Sequence, residues 1–361
     1  MARPVLAFSI ATLLPVPFLV TGAFHGGIWV LFAIITLTFA TYFLDHLFDF
    51  ALRPNTTTST VHFALILSNA LAILHFFLLA TAVWTLSSNG GLTGAEKAGV
   101  FLSFGLYFGQ ISNSNAHELI HRPDHLGFNL GKWVFISLLF GHHTTAHRLI
   151  HHRFVGSVHD PNSAQLGESF YRFLPRAWFG SFQAGFEIDR EMLRRSGKSQ
   201  FAHPYISYIL GAFGFLFVAA MIGGFGGCIA LLALAFYAQV QLMLSDYVQH
   251  YGLSRAMHEN GKLEPLAAHH SWNAPHWYSS LMMLHAPRHS DHHENPAKPF
   301  PSLSLPQPQT APTLPRSMPI MALLALFPQY WRRKMDPLVT HWQDVAKTVN
   351  PSTSIGKLPA S

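Results

Sequence analysis

Residues Val61–Leu86, VHFALILSNALAILHFFLLATAVWTL, run for 26 positions without an Asp, Glu, Lys or Arg. A helix of that length is about 39 Å long at 1.5 Å per residue. That exceeds the roughly 30 Å of hydrocarbon in a bilayer. Inside hydrocarbon the backbone must satisfy its own hydrogen bonds, which a helix does. The stretch therefore predicts a membrane-crossing helix. Five other stretches have similar apolar character: 4–24, 27–44, 96–116, 203–223 and 228–248. The composition agrees, with 50% hydrophobic residues, 11% charged residues and a mean hydropathy of +0.24. Soluble domains carry about 25% charged residues. The expectation is an all-α, polytopic membrane protein of about six spans. The first stretch lacks a small-residue cleavage site and is interrupted by Pro15 and Pro17, so it is expected to be retained.

Six helices with a cytoplasmic N-terminus put residues 25–26, 87–95 and 224–227 outside. These loops hold no Lys or Arg, and only Lys97 lies near that side. All other basic residues fall inside, as the positive-inside rule requires. Both termini are then cytoplasmic, and the expected location is the inner (plasma) membrane. Leu126–Gly141 is apolar but short and contains Lys132. If it crossed, the histidines on either side of it would be separated by the bilayer, so it is expected to be interfacial or re-entrant. Residues 1–300 are expected to form one membrane-embedded catalytic domain. Residues 301–350 then form a Pro-rich strap and an interfacial helix with Trp331 at headgroup depth. Residues 351–361 are expected to be a disordered tail.

The single cysteine, Cys228, excludes an internal disulfide framework and a cysteine-held iron–sulfur cluster within this chain. Redox chemistry would need electrons from another protein. Histidine is unusually frequent: 19 of the 24 copies lie between His117 and His293. Three boxes stand out. The first is His117-Glu118-Leu119-Ile120-His121, whose two histidines share one helix face. The second is His147-Arg148-Leu149-Ile150-His151-His152, with an expected i,i+4 pair of His147 and His151. The third is His289-Ser290-Asp291-His292-His293, with an expected i,i+3 pair of His289 and His292. His250 follows the last span. H-E-x-x-H alone reads equally as chance or as a zinc peptidase, but one catalytic zinc takes three protein ligands and a water. Nine imidazoles suit two metals of higher coordination number. Adjacent histidines on a helix diverge by about 100°, so each doublet can serve both metals. All-nitrogen ligation favours iron, copper or nickel over magnesium or calcium.

At these residues the chain resembles the integral-membrane alkane monooxygenases, within the superfamily of histidine-rich membrane diiron desaturases and hydroxylases. The matching stretches are NSNAHELIHR (Asn113–Arg122), HRLIHHRFVGSVHDPNSAQLGESFYRF (His147–Phe173), DYVQHYGLSR (Asp246–Arg255) and HHSWNAPHWYSSLMMLHAPRHSDHHENP (His269–Pro296). The resemblance implies O2-dependent hydroxylation of the terminal methyl of an alkane or alkyl chain. It implies two iron ions, with rubredoxin and rubredoxin reductase as electron donors. It also implies His117, His121, His147, His151, His152, His250, His289, His292 and His293 as ligands. The chain departs from the family pattern at Ala146 and Gln249, where Glu is usual, and at Ile150, where Gly is usual. The two lost carboxylates keep xylene-type side-chain monooxygenases in view as relatives.

A terminal methyl has no charge and no acidic proton, so the protein's tasks are to aim it at the metal and exclude water. An apolar channel among the spans would admit a substrate dissolved in membrane lipid. Leu37 stands where the resemblance implies a residue limiting chain length. Glu118, Asp160, Asp246 and Asp291 are candidates for hydrogen-bonding the ligating imidazoles, with ordinary loop or cap roles equally open for the three aspartates. His142, His143, His269, His270, His276 and His285 are expected to pack or to support the ligands. The cytoplasmic basic residues fit anionic headgroups or an acidic electron-transfer protein, and no basic soluble domain points to nucleic acid. A fatty-acid desaturase and, last, a membrane zinc peptidase are the rival functions.

Overall fold

The computed structural model describes residues 3–47, 54, 56–258 and 260–349; the expected tail at 351–361 lies outside them. No strand occurs among the described residues, only two isolated bridges. Among the described residues, four helical segments are long and apolar enough to cross a membrane: Val5–His25, Ile28–Leu47, Thr58–Ser87 and Pro204–His250. The last is two arms. Gly223 and Gly224 leave the helical region, and Gly224 has φ +59°, a value glycine adopts without a Cβ clash. Cys228 Sγ then reaches the Leu216 carbonyl at 3.5 Å. In a straight helix, twelve residues would place these groups about 18 Å apart. The chain is also helical from Gly94 to Ile120 through a π turn at Phe108–Ser112. These arms match the expected architecture.

Local chemistry fixes the arm ends. Thr93 and Glu96 form a reciprocal capping box at the start of the Gly94 helix. Glu96 Oε1 also accepts the Gly27 amide at 2.7 Å, joining that cap to the preceding turn. Phe213, Phe217, Met221, Phe225 and Phe236 are exposed on the hairpin. Such a bare apolar face suits lipid rather than water.

Leu126–Gly141 becomes a helix only over His125–Ser137, about 20 Å long and too short to span. It packs against Asn113–Ile120 and the arms Thr58–Ser87 and Pro204–His250. His117 and His147, on its two flanks, have ring centroids 4.5 Å apart. The histidines on its two flanks thus meet, as expected of a segment that does not cross.

After Ser302 the chain is pinned along its length. Leu314 N donates to the Asn273 carbonyl at 2.7 Å, and Ser304 N and Oγ donate to Asp291 Oδ2. Helices Met318–Ala325 and Pro328–Val349 follow. Trp331 departs from the expected headgroup position. It is fully buried, with its ring 5.3 Å from Tyr247 and 5.2 Å from Tyr251. These aromatic contacts dock the final helix beside His250.

Candidate metal centre

The nine histidines named from the sequence converge on two adjoining groups. His117, His121, His147, His152 and His292 form one; His151, His250, His289 and His293 form the other. Within each group one ring nitrogen per residue lies within 4.8 Å of all the others. Nitrogens bound to a common ion at about 2.1 Å lie at most about 4.2 Å apart, so small movements would seat a metal in each. Several contacts are shorter. His147 Nε2 and His152 Nε2 are 3.0 Å apart, and His152 Nε2 and His292 Nε2 are 3.1 Å apart. In the second group His289 Nε2 lies 2.9 Å from His250 Nε2 and 3.0 Å from His293 Nε2. The groups touch through His152 and His293, whose centroids are 4.5 Å apart.

Two expected pairings are corrected. His147 does not pair with His151. Residues His147–His151 form a π turn, closed by the His152 amide on the His147 carbonyl. A π turn bonds i to i+5, so His152 returns to the face of His147 and His151 points to the other group. In the third box the partners are His289 and His293, one α-helical turn apart, and His292 crosses to the first group. The two doublets still divide between the groups. His117 and His121 share a face as expected.

Burial drives the imidazoles of His147, His152, His289, His292 and His293 well below the ordinary histidine value, and neighbouring imidazoles add to the effect. Burial thus favours the neutral ring, whose free lone pair can bind a metal. His151 differs. Burial alone would lower it, but the Asp160 carboxylate outweighs burial and raises it. His151 Nδ1 lies 2.8 Å from Asp160 Oδ2, while its Nε2 is buried without a partner, as is His121 Nε2. Unmatched nitrogens aimed into a nitrogen-lined space fit a bound cation.

The other acidic candidates separate. Asp160 also accepts Ser163 Oγ at 2.7 Å and the Asn162 amide at 3.0 Å. Asp246 Oδ2 accepts Asn162 Nδ2 at 2.6 Å. Asp291, despite standing between ligand candidates, serves the strap: it accepts Lys298 Nζ at 2.6 Å and Asn295 Nδ2 at 2.9 Å as well as Ser304. Lys298 and Ser304 outweigh burial and hold its carboxyl below the ordinary range. Glu118 Oε1 faces the Phe300 amide at 3.4 Å, a backbone contact.

Trp272 and Asn273 support the site, and composition gave no sign of them. Trp272 N donates to the Gln249 carbonyl and its Nε1 to the Tyr251 carbonyl, bracketing His250. Asn273 Oδ1 accepts the Ser290 amide, and its Nδ2 donates to Ser290 Oγ, orienting the helix that carries His289. Their place in HSWN, shortly before the third box, was the available signal. Glu264, His269 and His270 form a smaller group. There His270 Nδ1 accepts the Ala267 amide and Nε2 faces Glu264 Oε1 at 3.0 Å, which makes a structural clasp. His142 packs among Phe140, Trp178 and Phe182; His143 stacks on Phe140; His285 Nδ1 meets the Phe300 carbonyl.

A cavity of about 780 Å³ is lined by Leu37, Tyr42 and Leu106 as well as by His117, His147 and His289, with Leu323 and, just past the end of its helix, Leu326 also in its wall. Ligand sites commonly have volumes of about 300–1,000 Å³.

A bundle of membrane helices closing on two histidine groups is the architecture of a membrane metalloprotein. The chain belongs to the fatty acid desaturase family, whose family model matches residues 97–323. It is similar to alkane 1-monooxygenase 1 of Alcanivorax borkumensis, with 32% identity over 284 residues, 74% of this chain and 66% of that one. The alkane 1-monooxygenase of Ectopseudomonas oleovorans is 31% identical over 279 residues, 74% of this chain and 67% of its own. The hydroxylase component of the Pseudomonas putida xylene/toluene monooxygenase is 26% identical over 243 residues, 65% and 62% of the two chains. The chain thus spans about two thirds of the length of these relatives.

Proposed function

We propose that the protein is a non-haem diiron monooxygenase that hydroxylates the terminal methyl of alkanes or alkyl chains. The overall balance is RH + O2 + two electrons + two protons giving ROH + H2O. One observation carries the reading: two all-histidine groups lie at the end of a largely apolar cavity within the membrane helices. In this reading the nine histidines hold two iron ions, five nitrogens to one and four to the other. Bound iron supplies O2 activation with electrons from outside. Rubredoxin and its reductase are the proposed donors, since the chain's lone cysteine cannot build an electron-transfer cluster.

The chain's own residues do the remaining work. Asp160 holds the His151 ring with Nε2 inward. Leu37 and Leu106 confine an alkyl chain so that its end lies against His117 and His147. Burial of the rings of His147, His151, His250 and His289 keeps bulk water away from the place where the methyl is presented. We place residues 1–300 in one catalytic unit and 301–350 in a strap and docking helix, in the inner (plasma) membrane with both termini cytoplasmic.

The test is reconstitution in nanodiscs with iron, rubredoxin and reductase, fed n-alkanes, methyl-substituted aromatics and fatty acids. Primary alcohol from alkanes and two irons per chain are expected. Failure of the iron-loaded chain to oxidise any of them would overturn the proposal. A xylene-type preference remains the second reading, favoured by Ala146 and Gln249 in place of carboxylates. An alkene product would instead mark a desaturase, and one zinc without iron a peptidase.

A further inference from the structure

His250 is the last residue of the helix Pro204–His250, and the chain leaves helical geometry at Tyr251. Helix ends fray unless something ties them. A metal-binding histidine is usually aimed by a hydrogen bond on its other ring nitrogen, as Asp160 aims His151. His250 lacks such a bond. The His270 backbone lies near, but no hydrogen bond of ordinary geometry reaches the buried His250 Nδ1. The direction of the ring must therefore come from the backbone around it.

That backbone is held from two sides. On one, Trp272 grips the Gln249 and Tyr251 carbonyls, and Gly252 N donates to the Ala164 carbonyl at 2.9 Å. On the other stands the final helix, Pro328–Val349. Its Trp331, Met335 and Val339 recur at i, i+4 and i+8 and are fully buried, so one face of this helix is docked. Asp336 and Gln343 flank Val339 at helical spacing and reach the turn after His250. Tyr251 Oη donates to Asp336 Oδ1 at 2.7 Å and accepts the Gly167 amide at 2.9 Å. Gln343 Nε2 donates to the Gly252 carbonyl at 3.0 Å. Gly252 has φ +70°, and a Cβ there would stand 2.7 Å from Val339 Cγ1. Glycine permits both the turn and the close approach of the helix.

We propose that Asp336 and Gln343 are positioning residues which, through Tyr251 and Gly252, fix the backbone that aims His250 into the four-histidine group. Metal affinity in that group then depends on the final helix. The five-histidine group takes no ligand from this turn and does not share the dependence. The inference rests on His250 being a metal ligand, as in the monooxygenase reading, but its test needs no turnover.

Ferrous iron is titrated anaerobically into metal-free full-length protein in nanodiscs. Bound iron is counted, Mössbauer spectra separate the two sites, and thermal unfolding is followed in parallel. Asp336→Ala and Tyr251→Phe should each weaken one of the two irons about tenfold, at the low end of the effect of losing a ligand's support. The other iron should keep wild-type affinity. Asp336→Asn retains an acceptor oxygen for the Tyr251 hydroxyl and should restore most of the loss. At saturating iron the spectrum of the weakened site alone should change, which a loss of stability by itself would not produce. Should Asp336→Ala fail to assemble, Tyr251→Phe and Gln343→Ala read the same site. Wild-type affinity and spectrum in these variants overturn the proposal. So does an equal loss at both sites that tracks a fall in unfolding temperature, since the helix would then give only general support. If the wild type binds no pair of irons, the ligand reading and this inference fail together. If it binds two, shows this pattern and oxidises no alkane, only the monooxygenase reading fails.

Discussion

Asp160 Oδ2 lies 2.8 Å from His151 Nδ1, and this contact decides which ring nitrogen faces the four-histidine group. Without the carboxylate the ring would lose its orientation, and Ser163 Oγ and the Asn162 amide would lose their acceptor. Asp160→Ala should weaken metal binding about 10- to 100-fold, the usual effect of removing such a partner. An iron titration followed by metal analysis measures it. Wild-type affinity in the variant would show that Asp160 serves only its own loop.

His250 stands outside the three boxes, yet its Nε2 is 2.9 Å from His289 Nε2. His250→Ala takes one nitrogen from a group of four and leaves the five-histidine group intact. Iron content should fall from two toward one per chain, and alcohol formation should be abolished. Near-normal turnover with full iron would remove His250 from the proposed ligand set.

The spans and the nine histidines were legible because each rests on a local signal: uncharged length for a span, close spacing for a box. How the histidines pair was not. An α-helical period joins His147 to His151, and the π turn joins His147 to His152 instead. That turn depends on packing with the neighbouring helices, which no window of sequence contains. Asp291 shows the same limit, because proximity in sequence to His292 concealed a side chain committed to Lys298 and Ser304. Trp331 looked interfacial by composition and is instead held by Tyr247 and Tyr251, some 80 residues away.

Leu37 is buried and lines the cavity, far in sequence from each of the nine candidate ligand histidines. Substitutions there should change the length of chain that fits more than the chemistry. Leu37→Gly should extend the range toward longer alkanes, and Leu37→Trp should shorten it. Cavity enlargement has a stability cost as well, about 2–5 kcal/mol for a leucine truncated in a closed core and less beside an existing cavity. Competition assays with mixed alkanes would give the profile. Identical profiles for all three proteins would place the substrate elsewhere.

Glu264 provides a pH prediction away from the histidine groups. Burial would push its carboxyl up, but His270 Nε2 and the Ala256 amide outweigh burial and hold it at about 2, against an ordinary value of 4.5. A carboxyl lowered in the folded state stabilises that state fully above the unfolded value. The contribution is lost as pH falls from 4.5 toward about 2. Glu264→Gln keeps an acceptor oxygen but loses the charge, a difference of roughly 1 kcal/mol between a charge-assisted and a neutral hydrogen bond. Thermal unfolding in nanodiscs should therefore show the wild type ahead by a few degrees at neutral pH. That lead should close between pH 4.5 and about 2. A gap that stayed constant across this range would mean that the clasp owes nothing to the carboxylate's charge.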